Sequence, residues 1–324
     1  MKEIEKKVKG YKDALKKLQL QNVSNGSKAI NEIEDLEKKL SEYKVQVYST
    51  LTPWQRVQIC RHSDRPRSCD FIKNICDEFT EIHGDRLFRD DEAIIGGFGY
   101  INGKKFVIIA QEKGKDTQSR LKHNFGMPHP EGYRKALRLM ELAEKFHLPV
   151  LTIIDTPGAY CGLAAEERGQ GWAIAKNLWA MARLKTPIIN VLIGEGCSGG
   201  ALGIGIGDVF GMLEHAYYSV ISPEGCASIL WKDAKQNKIA AEKLKMHAED
   251  LLKWEVIDEI IAEPLGGAHH DVEATYASVK EFILEKIEPL MQMEIEVLLE
   301  ARYQKFRKLG VCENLSELAV VSES

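Results

Sequence analysis

The sequence predicts an α/β domain with a parallel sheet, preceded by a helical hairpin and followed by a helical region. Three observations carry that reading. Short apolar runs rich in β-branched residues, "LPVLTIID" (148–155) and "TPIINVLIGE" (186–195), have the texture of strands buried on both faces. Each neighbours a stretch of helical periodicity, as strand–turn–helix units with right-handed crossovers require. The N-terminal segment instead carries apolar residues at alternating spacings of four and three.

Taken in order, Ile4, Val8, Tyr11, Leu15 and Leu18 form one stripe, which "NVSNGSK" (22–28) interrupts. Ile30, Ile33, Leu36, Leu40, Tyr43 and Val47 form a second. Two such stripes need a partner, so residues 1–50 read as a helical hairpin that packs on itself, on the main domain or on another chain. From Leu51 the texture changes. "AIIGGFGYINGKKFVIIAQE" (93–112) reads as two strands joined at Asn102-Gly103, a dipeptide that favours tight hairpins. "EGYRKALRLMELAEKFH" (131–147) and "AAEERGQGWAIAKNLWAMARLK" (164–185) are helices, and "YYSVISPEG" (217–225) is a strand running into a turn. Helices dominate from Ala227 to Lys308, with Pro289 expected to kink or interrupt the last stretch. The expected domains are 1–50, 51–308 and a C-terminal tail, 309–324.

Composition narrows the function. The 324 residues, 44% hydrophobic and 28% charged, suit one large domain with an appendage. The net charge is −4, so no global field recruits nucleic acid or acidic membranes. No run approaches the ~18 apolar residues of a membrane span. The start, "MKEIEKKVKG", is charged rather than signal-like, and the seven cysteines (60, 69, 76, 161, 197, 226, 312) include no C-x-x-C pair. These features predict a cytoplasmic chain with reduced thiols and no metal site of its own.

The stretch "IGEGCSGGALGIGIGD" (193–208) satisfies two chemical patterns at once. Gly194, Gly196 and Gly199 spell the dinucleotide fingerprint G-x-G-x-x-G, and Gly196, Ser198 and Gly200 spell the nucleophile elbow G-x-S-x-G. The first is weakened by Gly203, Gly205 and Gly207, each costing a following helix roughly 1 kcal/mol relative to Ala. The second makes Ser198 a nucleophile and needs an acid and a histidine downstream. Asp258 with His269 or His270, or Asp233 with His247, could serve formally, without forming a recognisable constellation. Cys197 lacks an activating base. A third reading uses the backbone alone: consecutive N–H groups without side chains, at a strand-to-helix turn, form an oxyanion hole.

"NFGMPHPEGYRKALRLMELAEKF" (124–146), "DTPGAYCGLAAEERGQG" (155–171), "IGEGCSGGALGIGIGD" (193–208), "SVISPEGCASILWKD" (219–233) and "EPLGGAH" (263–269) occur in order. Together, over about residues 30–310, they resemble the carboxyltransferase alpha subunits of bacterial-type and plastid acetyl-CoA carboxylases. The resemblance implies a crotonase-like fold of stacked ββα units. It also implies an α2β2 complex with a beta subunit that carries a zinc ribbon, working with a biotin carboxyl carrier protein and biotin carboxylase. The implied reaction moves a carboxyl group from carboxybiotin to the coenzyme A thioester acetyl-CoA, giving malonyl-CoA for fatty acid synthesis. Negative charge then develops on the biotin ureido oxygen, and the resemblance assigns its donors to the Gly199 and Gly200 N–H groups.

By the same resemblance the loop "TPGAYCG" (156–162) faces those donors. Gly158, Ala159, Tyr160 and Gly162, with Gly196 and Ser198, are then the expected biotin pocket. Lys113, Lys115, Arg120 and Lys122, within a segment that also holds Arg134 and Lys135, read either as a solvated basic face or as contacts for CoA phosphates or the carrier. Glu166, Glu167 and Arg168 are expected to pair or cap at a helix start. Cys161 and Cys197 stand where the family pattern often has Pro and Gly, which predicts a rigid turn lost at 161, a side chain beside the donors at 197, and thiol-directed inactivation. Two alternatives remain open: a crotonase-fold hydrolase or isomerase using Ser198, and a non-catalytic assembly subunit.

Overall fold

The computed structural model describes residues 2–25 and 28–310. It opens with helices α1 (Lys2–Asn25), α2 (Lys28–Tyr48), α3 (Pro53–Cys60) and α4 (Ser68–Ile75), followed by strands β1 (Glu78–Glu81), β2 (Ile94–Ile101) and β3 (Lys104–Gln111). The middle comprises α5 (Thr117–Lys122), α6 (Pro130–Lys145), β4 (Val150–Thr156), α7 (Leu163–Glu167), α8 (Gln170–Arg183), β5 (Ile188–Cys197) and α9 (Ser198–Leu202). Then come β6 (Val209–Leu213), β7 (Tyr217–Ser219), α10 (Pro223–Trp231), α11 (Asn237–Leu244), α12 (Ala248–Lys253), β8 (Glu259–Ile261), α13 (Val272–Met291) and α14 (Ile295–Arg307).

The sheet runs β1-β2-β3-β4-β5-β6-β8, antiparallel over β1-β2-β3 and parallel from β3 onward. Asn102 and Gly103 adopt φ of 51° and 74°, the left-handed pair that a two-residue hairpin turn requires. β4 and β5 are buried along their whole length, which accounts for their unbroken apolar texture. β5 changes partner midway: Ile189–Leu192 pair with β6, whereas Glu195–Cys197 pair with β7. Its register against β4 shifts between Ile154 and Thr156, so Asp155 sits at an irregularity of the kind that re-aims a side chain near a site.

The hairpin α1/α2 has a small core of its own, Val8, Leu15 and Leu40, with Ile4, Tyr11, Ile33, Leu36 and Tyr43 around it. α1 extends to Asn25, past the start of the expected break at 22–28, and Gly26 and Ser27 lie outside the described residues. Of the expected tail only 309 and 310 are described, and Cys312 falls outside.

Several elements differ from the sequence-based expectation. The helix expected over 164–185 is two, because Gly169 takes φ 82° between α7 and α8. β6 lies just beyond the glycine-rich segment, and the three-residue β8 interrupts the expected helical region after Ala227. Pro289 falls in the last turn of α13, which continues only to Met291. α14 then closes the domain through the buried Arg302, which donates to the carbonyls of Met181, Leu184 and Thr186 and pairs with Asp208 at 2.7 Å. A cation there meets the negative end of α8. Among the described residues no helix is long and apolar enough to cross a membrane.

Candidate functional site

β4 and β5 end side by side, so the loops after them meet at the carboxyl edge of the sheet, where α/β folds bind ligands. Ser198 turns the chain with φ 53°, and Gly199 and Gly200 follow at the start of α9. N–H groups at that position have no carbonyl one turn behind them in the helix. Gly200 is buried against the other loop: a Cβ there would stand 2.5 Å from Ala159 N and 2.7 Å from Gly158 Cα. Gly199 is more open, and its nearest neighbour for a Cβ would be Ile174 Cδ1 at 3.5 Å.

The facing loop is equally constrained. Gly158 has φ 142°, and its N–H donates to Thr156 Oγ1 at 3.0 Å. Gln170, buried in α8, donates from Nε2 to the carbonyls of Tyr160 and Pro128, both at 2.8 Å. The Tyr160 ring lies 4.3 Å from the His129 ring and over Gly162, where a Cβ would come within 2.9 Å of Cζ. Beside α9 opens a cavity of about 320 Å³ lined by Ser198, Gly199, Leu202, Tyr218, Val220 and Leu251. Gly196 lies one layer back in β5, where a Cβ would meet Tyr218 Cδ2 at 2.7 Å.

Two buried side chains hold the Gly200 carbonyl: Gln111 Nε2 at 2.7 Å and the Tyr133 hydroxyl at 3.1 Å. Beneath the turn lies a buried ionic network. Lys113 Nζ is 2.7 Å from Asp155 Oδ1 and also contacts Glu195. Arg67 contacts Asp155 at 3.2 Å, Arg61 Nε contacts Glu195 at 2.7 Å, and the Tyr217 hydroxyl donates to Glu195. Burial works against the Glu195 charge, but Lys113 and Arg61 outweigh it and hold the carboxyl well below its usual range. Burial likewise opposes the Lys113 ammonium, and Asp155 and Glu195 keep it above its ordinary value. The Asp155 carboxylate also accepts from Glu195 N at 2.9 Å, and a Cβ at Gly194 would meet Asp155 Cγ at 2.7 Å.

A second clamp explains "EPLGGAH". Arg65 makes two hydrogen bonds to Glu263, at 2.6 and 2.8 Å, while its Nε donates to the carbonyl of Ile193 in β5 at 2.9 Å. Against the cost of burial, Arg65 holds the Glu263 carboxyl down at about 2. Sequence patterns did not reveal Gln111, Tyr133 or these ion pairs. The one visible signal was polar residues, Gln111 and Asp155, closing apolar strand runs.

Several expectations need correction. Lys113 is not on an exposed basic face: it is buried and fully engaged by carboxylates. Lys135 is likewise buried on Asp90. Lys115, Arg120 and Lys122 are exposed, the first and last paired with Asp70 at 2.7 Å and Glu92 at 2.8 Å. Cys197 points away from the donors, into a cluster with Val57, Cys60 and Tyr217, because strand side chains alternate faces. Burial pushes its thiol up to about 11. Cys161 is exposed on the loop. Arg168 pairs with Glu131 at 2.7 Å.

The hydrolase constellation is not assembled around Ser198 among the described residues. Asp258 accepts from Phe210 N at 2.6 Å and pairs with Lys305. His269 stacks on His62 with ring centroids 3.9 Å apart, and His270 lies against Tyr48. Asp233 caps Lys235 N, and His247 is buried without a hydrogen bond to either ring nitrogen. Also among the described residues, no group of three His, Cys, Asp or Glu could hold a metal ion.

The profile of the acetyl co-enzyme A carboxylase carboxyltransferase-like family matches residues 1–310. The acetyl-coenzyme A carboxylase carboxyl transferase subunit alpha of Chlamydia pneumoniae is 59% identical over 313 residues, covering 97% of both chains. That of Chlamydia muridarum is 58% identical with the same coverage. The chain belongs to the acetyl co-enzyme A carboxylase carboxyltransferase-like family.

Solved structures extend the likeness to the fold. Transcarboxylase 12S (17% identical) and the P. aeruginosa geranyl-CoA carboxylase beta subunit (15%) each align with a TM-score of 0.55, covering 75% of this chain and 46% of theirs. A Pseudomonas malonate decarboxylase hetero-tetramer aligns at 0.53 over 65% of this chain and 84% of that one. The fold is therefore crotonase-like. For a carboxyltransferase-like chain, the absence of a triad at Ser198 among the described residues is coherent, since the reaction demands stabilisation of charge more than a protein nucleophile.

Proposed function

We propose that this chain is the alpha component of an acetyl-CoA carboxyltransferase, acting in the cytoplasm as α2β2 with a zinc-ribbon beta subunit and serving a biotin carboxyl carrier protein charged by biotin carboxylase. The observation that carries the reading is the Gly199–Gly200 turn, in a chain matching carboxyl transferase alpha subunits over nearly its full length. Carboxybiotin, when delivered by its carrier, supplies the activated carboxyl group and a ureido oxygen that gains negative charge as the carboxyl group leaves.

The residues present fit such a group. Leu202, Tyr218, Val220 and Leu251 give the cavity apolar walls, and the first turn of α9 offers peptide donors without side chains over them. The Gly199 and Gly200 N–H groups stabilise the developing anion, aided by the positive end of the turn. Gly158 and Ala159 pack against Gly200 and fix the turn from the facing loop, which Tyr160 and Gly162 continue, and Gly196 and Ser198 shape the bend. Fixed peptide dipoles need no reorganisation as charge develops, which is why they outperform mobile side chains at this task. The exposed Lys115, Arg120 and Lys122 are suited to CoA phosphates or an acidic carrier surface, Lys115 and Lys122 exchanging their Asp70 and Glu92 partners to do so.

The test is malonyl-CoA-dependent carboxylation of free biotin by the purified chain with and without its beta partner. Turnover only in the presence of the partner is expected. Full activity of the isolated chain would overturn the composite site.

A further inference from the structure

We infer that Gln111 and Tyr133 are positioning residues that aim the Gly199–Gly200 turn, a role that rests on the oxyanion assignment of that turn. The Gly200 carbonyl is a gap in the hydrogen bonding of α9. In a regular helix it would accept from the N–H of residue 204. Here Ile204 N donates instead to Ala201 O at 3.2 Å, Gly203 N to Gly199 O at 2.9 Å and Gly205 N to Leu202 O at 3.0 Å. The helix tightens and passes over one buried carbonyl, which would be costly to leave unpaired.

Two side chains from separate elements fill that gap. Gln111 ends β3 and Tyr133 belongs to the first turn of α6; neither has any exposed surface. Their donors reach the same oxygen at 2.7 and 3.1 Å. One donor would fix a distance, whereas two from different elements also fix the rotation of the peptide and so of the glycines before it. The surroundings commit Tyr133 to this place. Its ring requires glycine at 203, where a Cβ would come within 2.7 Å of Cδ1, and Asn177 ties the carbonyls of Tyr133 and Gly203 together at 3.0 and 2.9 Å. Catalysis by peptide donors depends on where they point, and a misplacement of about 1 Å costs on the order of 10²-fold in rate.

The experiment compares Tyr133→Phe, Gln111→Met and the double variant in complex with the beta partner, using malonyl-CoA and free biotin. Each single variant is expected to lower kcat about tenfold and the double variant about 10²-fold or more, with KM for malonyl-CoA unchanged. Ile287→Val in α13 is the remote core control, expected to keep wild-type kcat. Independently of turnover, amide hydrogen exchange across 197–203 rises in the double variant and stays at the wild-type level in the control. Wild-type kcat in the double variant, a matching fall in the control, or unchanged exchange across 197–203 would each overturn the inference. Full turnover in Gly200→Ala would instead sink the oxyanion assignment, and exchange across the turn then decides the anchoring alone.

Discussion

Gly199→Ala and Gly200→Ala add the same methyl group one residue apart, and the structure assigns them opposite outcomes. At 200 the new Cβ meets backbone, Ala159 N at 2.5 Å and Gly158 Cα at 2.7 Å, and peptide atoms cannot rotate aside. Overpacking of that kind costs about 1–3 kcal/mol, and here it separates the two loops whose contact forms the site. If the displaced turn loses one effective donor, the transition state loses a further ~2.7–4 kcal/mol, or about 10²–10³ in kcat. At 199 the nearest atom is the end of a flexible side chain, Ile174 Cδ1 at 3.5 Å, and Gly→Ala within a helix is worth up to about 1 kcal/mol of stability. Gly199→Ala is therefore expected to keep kcat within about tenfold of wild type and to hold or raise Tm. Gly200→Ala loses 10²-fold or more while still assembling with its partner. The assay is biotin carboxylation by the reconstituted complex, with Tm measured on the same samples. Wild-type kcat in Gly200→Ala would refute both the packing argument and the donor assignment.

Ser198 holds φ 53°, so Ser198→Gly is expected to relieve about 1 kcal/mol of strain and preserve turnover; abolished turnover at intact Tm would restore the nucleophile reading. Maleimide under native conditions modifies the exposed Cys161 and spares Cys197, as peptide mapping will report; rapid labelling of Cys197 would contradict its burial. Lys113→Met leaves Asp155 and Glu195 facing each other without their shared cation, a loss of about 3–5 kcal/mol typical of breaking a buried pair, visible as a large fall in Tm. Burial lowers His269 to about 3 and His270 to about 4, reinforced by His62, His270 and Arg65 around the first, and by Lys12, Lys44 and His62 around the second; Glu263 opposes the shift of His269. Both rings stay neutral in the folded chain, so the unfolded chain binds more protons below 6.5. Stability falls as pH drops from 6.5 towards 4 and 3, and His269→Phe flattens part of that slope in thermal melts; identical slopes would count against the stack.

The parts of the fold that the sequence revealed are those with a strong local signal. β4 and β5 announce themselves because burial on both faces demands unbroken apolar runs, and Asn102-Gly103 because only certain residues accept two positive φ angles. β8 has three residues, fewer than any periodicity needs, and β6 is masked by the glycines before it. The break at Gly169 was a plain glycine within a helical pattern, and a glycine alone does not distinguish a tolerated residue from a left-handed one. At the site, the glycines of 196–200 were readable as a backbone feature. The burial of Lys113 was not: five basic residues nearby suggested a surface, and the carboxylates that bury it come from residues 155 and 195, far along the chain.

That pairing answers a physical problem posed by the glycines themselves. Gly194, Gly196, Gly199 and Gly200 give the chain the shape to expose peptide donors, but each raises the conformational entropy lost on ordering the turn. A site whose chemistry resides in backbone direction therefore needs its rigidity from elsewhere. Asp155 holds the peptide of Glu195, Arg65 holds the carbonyl of Ile193, and Gln111 and Tyr133 hold that of Gly200, so successive points from the end of β5 into α9 are tied to separate elements. Buried ion pairs are poor sources of net stability, because desolvation consumes most of the attraction. Their value here is directional. Arg61, Lys113, Asp155 and Glu195 accept one arrangement of β3, β4 and β5 and resist others, since any slip strands an unpaired charge. The side chains that govern this turn are accordingly ones that stay beneath it, out of reach of any substrate at the α9 surface.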